Sequence, residues 1–274
     1  MLTISELYIY PIKSLGGISV SSATVTERGF EYDRRWMLID NRNQFMTQRE
    51  LPALALLQVT TLAEGLQVTH KHSNESITVP FKPTGIDSVI VTVWDDMCLA
   101  NLVSDAVDEW FSKILSFPCR LVYMPDTVKR KVDPNYAGNN EITAFADGYP
   151  MLIIGQSSLD DLNQRLTDPI AIERFRPNIV FTGGIPFEED LLEHFTINAI
   201  DFFGVKLCAR CSVTTINQQT AEKSKEPLKT LAAYRFRNNN IYFGQNLLHH
   251  GTGEIKINDT MQVVKRKEAV PFNI

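Results

Sequence analysis

The 274-residue sequence predicts an α+β fold that is mainly β, built as β-barrel architecture with a few peripheral helices. Two observations carry that expectation. Apolar runs are short and are separated by turns rich in Gly, Pro, Asn and Asp, which is the pattern of strands. Helical spacing is confined to a few stretches with no regular strand–helix–strand alternation, which argues against a doubly wound parallel sheet. Hydrophobic content of 44% and charged content of 22% are ordinary for a globular chain. The length allows one large domain or two modest ones, each with its own core.

In chain order, residues 2–10 alternate imperfectly through Leu2, Ile4, Leu7 and Ile9 and read as a strand that ends at Pro11. The turn Pro11-Ile12-Lys13-Ser14-Leu15-Gly16-Gly17 follows. Its glycine pair tolerates positive φ and leaves backbone N–H groups exposed. Lys13 and Ser14 can hold a small anion there; a solvated lysine in a β-turn is the competing reading. A second strand over 18–26 closes at Arg28-Gly29. Asp33 to Asp40 and Gln44 to Glu50 read as two strands around a polar turn. Alternation places Arg34 with Trp36 on one face and Arg35 with Met37 on the other, so one arginine can face inward without its neighbour. Residues 55–62, 65–70, 75–80 and 89–94 add short strands. Leu99 to Leu115 carries apolar residues at helical spacing and reads as an amphipathic helix, after which Arg120 to Met124 returns to strand.

Pro125 to Asn140 reads as a loop and as the junction of two units, 1–125 and 126–274. Its Lys129-Arg130-Lys131 cluster fits either a solvated turn or the rim of an anion pocket. Phe145-Ala146-Asp147-Gly148-Tyr149-Pro150 then leads into the apolar Met151 to Ile154. Ser157 or Ser158 can cap a helix over 158–166. Asn178 to Phe181 reads as a strand, Ile197 to Leu207 as a hairpin turning at Gly204, and Glu226-Pro227 as the start of a helix. Residues 242–248 and 255–264 supply the last strands.

A net charge of −5 argues against a nucleic-acid polymer or an anionic membrane surface as the main partner. The start lacks a basic and apolar leader, and no run of about 18 apolar residues occurs, so no membrane span is expected. Four cysteines do not suggest a disulfide framework, which suits a reducing compartment, and the expected location is cytoplasmic.

The stretch around which the chain is organised is Cys208-Ala209-Arg210-Cys211-Ser212-Val213-Thr214-Thr215-Ile216-Asn217. Thiolates are favoured beside fixed positive charge, and Arg210 can supply it. A buried packing thiol is the plain alternative for either cysteine. A zinc site would need further ligands, and Cys98 and Cys119 lie far off with no paired-histidine motif of zinc-ligand spacing. A redox C-x-x-C normally opens a helix, whereas both flanks here read as strand. Spacing alone thus leaves a metal thiolate at Cys211 as one reading among several.

The segment resembles the core of a MOSC domain, the family named after the C-terminal domain of molybdenum-cofactor sulfurases. The likeness extends to Arg174-Phe175-Arg176-Pro177-Asn178, to Glu226-Pro227-Leu228 with Thr230-Leu231 and Tyr234-Arg235, and to Phe243-Gly244-Gln245-Asn246. The first 60 or so residues resemble the N-terminal β-barrel domain that accompanies MOSC in the amidoxime-reducing group. The resemblance implies a MOSC β-barrel at 126–274 and a second β domain at 1–125. It further implies a molybdenum cofactor, an anionic pterin that carries a phosphate and holds molybdenum through a dithiolene. A soft thiolate suits such a sulfur-bound metal. Position by position, the metal-binding cysteine falls on Cys211, while Cys208 is left as a packing residue. Lys13, Ser14, Arg34, Arg176, Asn178 and Arg210 fall on cofactor-binding positions, and Asp147 on a catalytic position near the metal.

The implied activity is two-electron reduction of N–O bonds in small N-hydroxylated substrates such as hydroxylamines, amidoximes and N-hydroxylated bases. After Cys211 no cysteine remains, so these residues cannot hold a 2Fe–2S centre through four thiolates. Electrons are therefore expected from a separate ferredoxin or flavoprotein. Two other readings stand beside this one: a sulfur carrier or cofactor-handling protein with a persulfide on Cys211, and a binding module for a small anion. Pyridoxal phosphate binding is a further description that the family can carry, although no desulfurase domain using it is visible.

Overall fold

In the computed structural model, which describes residues 1–83 and 87–272, the largest sheet closes on itself. Its strands run in the order Met151–Gly155, Ile179–Thr182, Leu2–Ile9, Thr260–Arg266, Leu192–Ile197, Ile200–Ala209 and Asn240–His250. The last then pairs with Met151–Gly155, which completes a barrel. Closure leaves no open edge among these strands. Met151–Gly155 and Ile179–Thr182 run parallel, joined through the helix Gln156–Arg165, and the other neighbours are antiparallel. Alternate residues such as Ile4, Ile153, Phe181, Phe195, Phe202 and Leu247 form one buried cluster. The N-terminal strand therefore finds its partners far along the chain, with Thr3 opposite Thr182 and Leu2 opposite Met261.

The rest of the first half forms smaller sheets. One has the order Trp36–Ile39, Arg120–Tyr123, Asp96–Leu102 and Ser88–Val93; another consists of Leu57–Thr61, Gly65–His70 and Ser76–Pro80. The helix Asp105–Leu115 buries Val107, Phe111 and Leu115. These side chains join Trp36, Leu38, Leu57 and Val68 in a second core. The fold is mainly β, as the run lengths predict.

Several element boundaries differ from expectation, each for a local reason. The first helix starts at Asp105 because Ser104 caps it, accepting the Val107 N–H at 3.4 Å. Leu99 to Leu102 belong to a strand instead, with Leu99 opposite Ile90. Gln44 and Phe45 make only isolated bridges, and the expected strand over 44–50 does not form. Strand Ile200–Ala209 runs straight through Gly204, and the hairpin turns earlier, at Asn198, whose φ is 54°. A Cβ at Gly204 would lie 1.8 Å from Gln245 Nε2 and 2.1 Å from Leu192 O, so close approach rather than turning requires the glycine. The helix Gln156–Arg165 has Gly155 at its cap. Ser158 is instead buried, donating to Glu189 Oε2 and accepting the Phe187 N–H, both at 2.7 Å. Pro227 does precede a helix, but a short one, Leu228–Ala232.

Candidate functional site

The turn after the first strand, the segment 144–149 and the end of strand Ile200–Ala209 meet around a cleft of about 750 Å³. Lys13, Ser14, Arg34, Asp147, Arg176, Asn178, Arg210 and Cys211 all line it. On one wall the Tyr10 ring lies between two guanidinium groups, with Arg34 Cζ 4.5 Å and Arg176 Cζ 4.3 Å from the ring centroid. Both arginines reach this wall from left-handed backbone, with φ of 49° and 57°, so strand alternation does not set their direction. The strand begins only at Trp36. Arg35 turns elsewhere, donating to Met124 O and Asp126.

Each cation of this wall is tied to groups distant in sequence. Arg34 donates to Asp33 Oδ2 at 2.6 Å, Asn178 Oδ1 at 3.1 Å and Arg176 O at 3.2 Å. Arg176 Nη1 donates to Leu15 O at 2.7 Å, while its Nη2 is buried without a hydrogen-bond partner among the described residues. Burial, and then the neighbouring Arg34 charge, lower the Arg176 pKa to about 10. Asn178 is buried and spends its amide on Arg34, the Leu152 N–H and Tyr8 O. It therefore sits at the buried base of the wall, holding Arg34 and two strands together. Ser14 also sits in left-handed backbone, and its carbonyl accepts from Gln48 Nε2 at 2.7 Å.

Lys13 is 5% exposed, and its Nζ donates to Phe145 O at 2.7 Å and Asp147 Oδ1 at 2.5 Å. An ammonium has three N–H groups, so one remains for a ligand. Burial lowers the Lys13 pKa, and the Asp147 charge works against that shift. The Asp147 side chain is 68% exposed by surface but stands within the cleft. Enclosure there would raise its pKa; the Lys13 charge and hydrogen bond, the Trp94 indole and the Arg49 charge outweigh it and hold the carboxyl well below the usual carboxylate range. Trp94 Nε1 donates to Asp147 Oδ1 at 3.2 Å, and Arg49 lies 4.2 Å from the Trp94 ring centroid.

The thiol side is built differently. Cys211 is free and exposed, at the entry to the short turn Ser212–Thr215, where its carbonyl accepts from the Thr214 hydroxyl. Arg210 does not stand against it. Arg210 Nη1 donates to Cys208 Sγ at 2.9 Å and its Nη2 to Phe175 O at 2.6 Å, so the charge it supplies attends Cys208. The strand ends at Ala209, so Arg210 and Cys211 lie beyond its alternation, and hydrogen bonds rather than the pleat set the direction of Arg210. Among the described residues Arg210 Nε is buried and unpartnered, as is Oγ1 of Thr47, another lining residue. Cys208 packs against the cluster containing Phe175 and Phe243. Among the described residues no group of three or more His, Cys, Asp or Glu could hold a metal unaided.

Sequence reasoning missed four contributors. Tyr10 marks only the end of a strand in the sequence, and Asp33 only the start of one. Trp94, at φ 58°, ends an apolar run that predicts only a strand. Arg130 was read as a surface or rim charge but is 6% exposed. No periodic signal marks any of them.

Fold and cleft together define a class: a β-barrel protein whose cation-lined small-molecule site presents a free thiol. The description "MOSC N-terminal beta barrel domain" matches residues 1–118, and "MOSC domain" matches residues 140–262. The chain is 28% identical over 281 residues to mitochondrial amidoxime-reducing component 1 of Mus musculus, covering 96% of this chain and 82% of that protein. It is 34% identical over 251 residues to mitochondrial amidoxime reducing component 2 of Rattus norvegicus, covering 85% and 72%. Likeness to the molybdenum cofactor sulfurase of Oryza sativa subsp. japonica is 30% over 263 residues, covering 88% of this chain but 32% of that protein. The chain belongs to the MOSC-domain family. Among the described residues no helix is long and apolar enough to cross a membrane.

Proposed function

We propose that this chain is a molybdenum-cofactor-dependent reductase of small N-hydroxylated compounds, supplied with electrons by a separate ferredoxin or flavoprotein. The observation that carries this reading is an exposed thiol, Cys211, in one cleft with the buried, unpartnered Arg176 Nη2 and Arg210 Nε. Buried donors without acceptors cost about 1–3 kcal/mol each, and an anionic, acceptor-rich ligand removes that cost. The pterin phosphate and ring edges supply such acceptors. A metal that arrives with its own sulfur ligands needs only one protein thiolate, which suits a cleft where no cluster of metal-ligating side chains occurs among the described residues. The residues therefore fit the group: Cys211 would ligate the metal, while Lys13, Ser14, Arg34, Arg176 and Arg210 would hold the pterin and its phosphate. Asn178 acts through Arg34.

When bound, the cofactor would supply the two-electron redox chemistry for reducing the N–O bond. Lys13 and the arginines neutralise the anion and fix its orientation, and planar guanidinium forks suit phosphate and pterin edges. Asp147, ionised at neutral pH, accepts hydrogen bonds from a substrate N–H or O–H through the oxygen that Lys13 and Trp94 leave free. The name of the amidoxime-reducing relatives supports the substrate class. We also place the division between the two units at 125/126 in sequence, with strand Leu2–Ile9 reaching across it to complete the barrel; residues before it contribute Lys13, Ser14 and Arg34 and those after it the remaining site residues.

The test is purification from a cofactor-producing host. Near-stoichiometric molybdenum and pterin are expected, with N–O reduction driven by reduced viologen and none by NADH or NADPH alone. Activity of the lone chain with a pyridine nucleotide would overturn the electron-supply part. The sulfurase relative and the exposed Cys211 support a second reading, a sulfur carrier. Metal-free protein with a persulfide on Cys211 would establish that one instead.

A further inference from the structure

Four consecutive carbonyls, those of residues 144 to 147, converge on two buried cations. Arg130 Nη1 donates to Ala144 O at 2.9 Å and Ala146 O at 2.5 Å, and its Nη2 to Asp147 O at 3.1 Å. The carbonyl between them, Phe145 O, is taken by Lys13 Nζ at 2.7 Å. The Phe145 N–H completes the clasp by donating to Arg34 O at 2.9 Å. Arg130 is aimed by a short ladder in which it stands opposite Thr143, and by Asp96 Oδ2 on its Nε at 2.8 Å. Five N–H donors in a rigid fork suit this task, which one ammonium could not perform alone.

From this geometry we infer that Arg130 is a positioning residue: its guanidinium fixes the backbone of 144–147 so that the Asp147 carboxylate stands in the cleft against Lys13 and Trp94. Alanines 144 and 146 offer no side-chain bond of their own, so the segment before Asp147 is held through its backbone, by its carbonyls and the Phe145 N–H. The basic run at 129–131 is thus divided in function. Lys129 pairs with Glu27 and Lys131 with Asn140 at the surface, while Arg130 turns inward. The inference is read on the protein without any bound group, so it stands or fails independently of the proposed redox reaction.

The experiment compares Arg130→Gln, Arg130→Lys and Arg28→Gln with the parent chain. Arg28 is an equally buried arginine that donates to Val128 O and Asp126 O, outside the cleft, and it controls for loss of a buried cation as such. Trp94 emission, assigned by subtraction of a Trp94→Phe variant, reports on the Asp147 carboxylate through their hydrogen bond. In the parent it should stay flat between about pH 4 and 7, because the carboxylate remains ionised there. In Arg130→Gln a step should appear toward the ordinary carboxylate range, and it should vanish when Asp147→Asn is added. The Phe145 amide should exchange roughly tenfold faster or more in Arg130→Gln, with barrel amides unchanged. Arg130→Lys should give an intermediate step and Arg28→Gln none. If Arg130→Gln does not fold, Arg130→Lys carries the decision. A folded Arg130 variant with flat Trp94 emission and unaltered Phe145 exchange would reduce this arginine to a stability residue and overturn the proposal, as would an equal step in Arg28→Gln.

Discussion

The two walls of the cleft are built on opposite principles. On the cationic wall every charged side chain is tethered: Lys13 to Phe145 O and Asp147, Arg34 to Asp33, Asn178 and Arg176 O, and Arg176 to Leu15 O, with the Tyr10 ring between the two guanidinium groups. On the thiol wall Cys211 is exposed at the mouth of a short turn, and its neighbour Arg210 attends Cys208. A tethered wall recognises shape and charge because its groups lose little freedom on binding. A free thiol can form a bond to whatever the other wall has positioned. The contrast predicts that occupancy and reactivity separate by wall.

The largest effect expected is at Cys211. Cys211→Ser should abolish N–O reduction while much of the pterin remains bound, measured as turnover beside pterin and molybdenum content. Equal loss of pterin would erase the distinction between walls. Next comes Arg176→Ala, which removes a charge-assisted contact of roughly 1.5–3 kcal/mol and should cut pterin affinity by roughly ten- to a hundredfold. Turnover per bound molybdenum should stay within a few-fold of the parent; a collapse of that ratio would place Arg176 in the chemistry.

Asn178→Ala probes the support at the base of the wall. Leaving Tyr8 O and the buried Leu152 N–H without their amide partner should cost about 1–3 kcal/mol of stability, read by denaturant unfolding. Pterin occupancy should fall less than in Arg176→Ala, because Arg34 keeps Asp33 as an anchor. The smallest effect should come from Cys208→Ser, since a serine oxygen can still accept from Arg210 Nη1. Stability should fall slightly and activity per bound molybdenum should not change. If this variant loses turnover at full occupancy while Cys211→Ser keeps it, the roles of the two thiols are reversed.

Period-two alternation through Leu2, Ile4, Leu7 and Ile9, the short apolar runs and the missing βαβ rhythm were enough to read a mainly β fold. Such signals are local: a side chain's face in a strand follows from its position in the run. The turn at Lys13-Ser14 and the pair Cys208 and Cys211 were likewise visible as residue types at fixed spacing. Where neighbours far off in sequence decide, the local signal failed. Gly204 looks like a turn residue, yet it lies within a strand because Gln245 and Leu192 O leave no room for a Cβ. Arg130 looks like a surface charge in a basic run, yet three carbonyls 14 to 17 residues onward draw it inside.

The sequence by itself therefore determined which chemistry was available: two thiols, a lysine at a glycine turn, and arginines before Trp36 and Asn178. Only the tertiary structure decided where those groups point. Ser14, Arg34 and Arg176 all occupy left-handed backbone, where no repeating pattern sets direction. The two arginines are oriented instead by hydrogen bonds that join positions more than a hundred residues apart, Arg34 to Asn178 and Arg176 to Leu15, and these exist only once the barrel has closed.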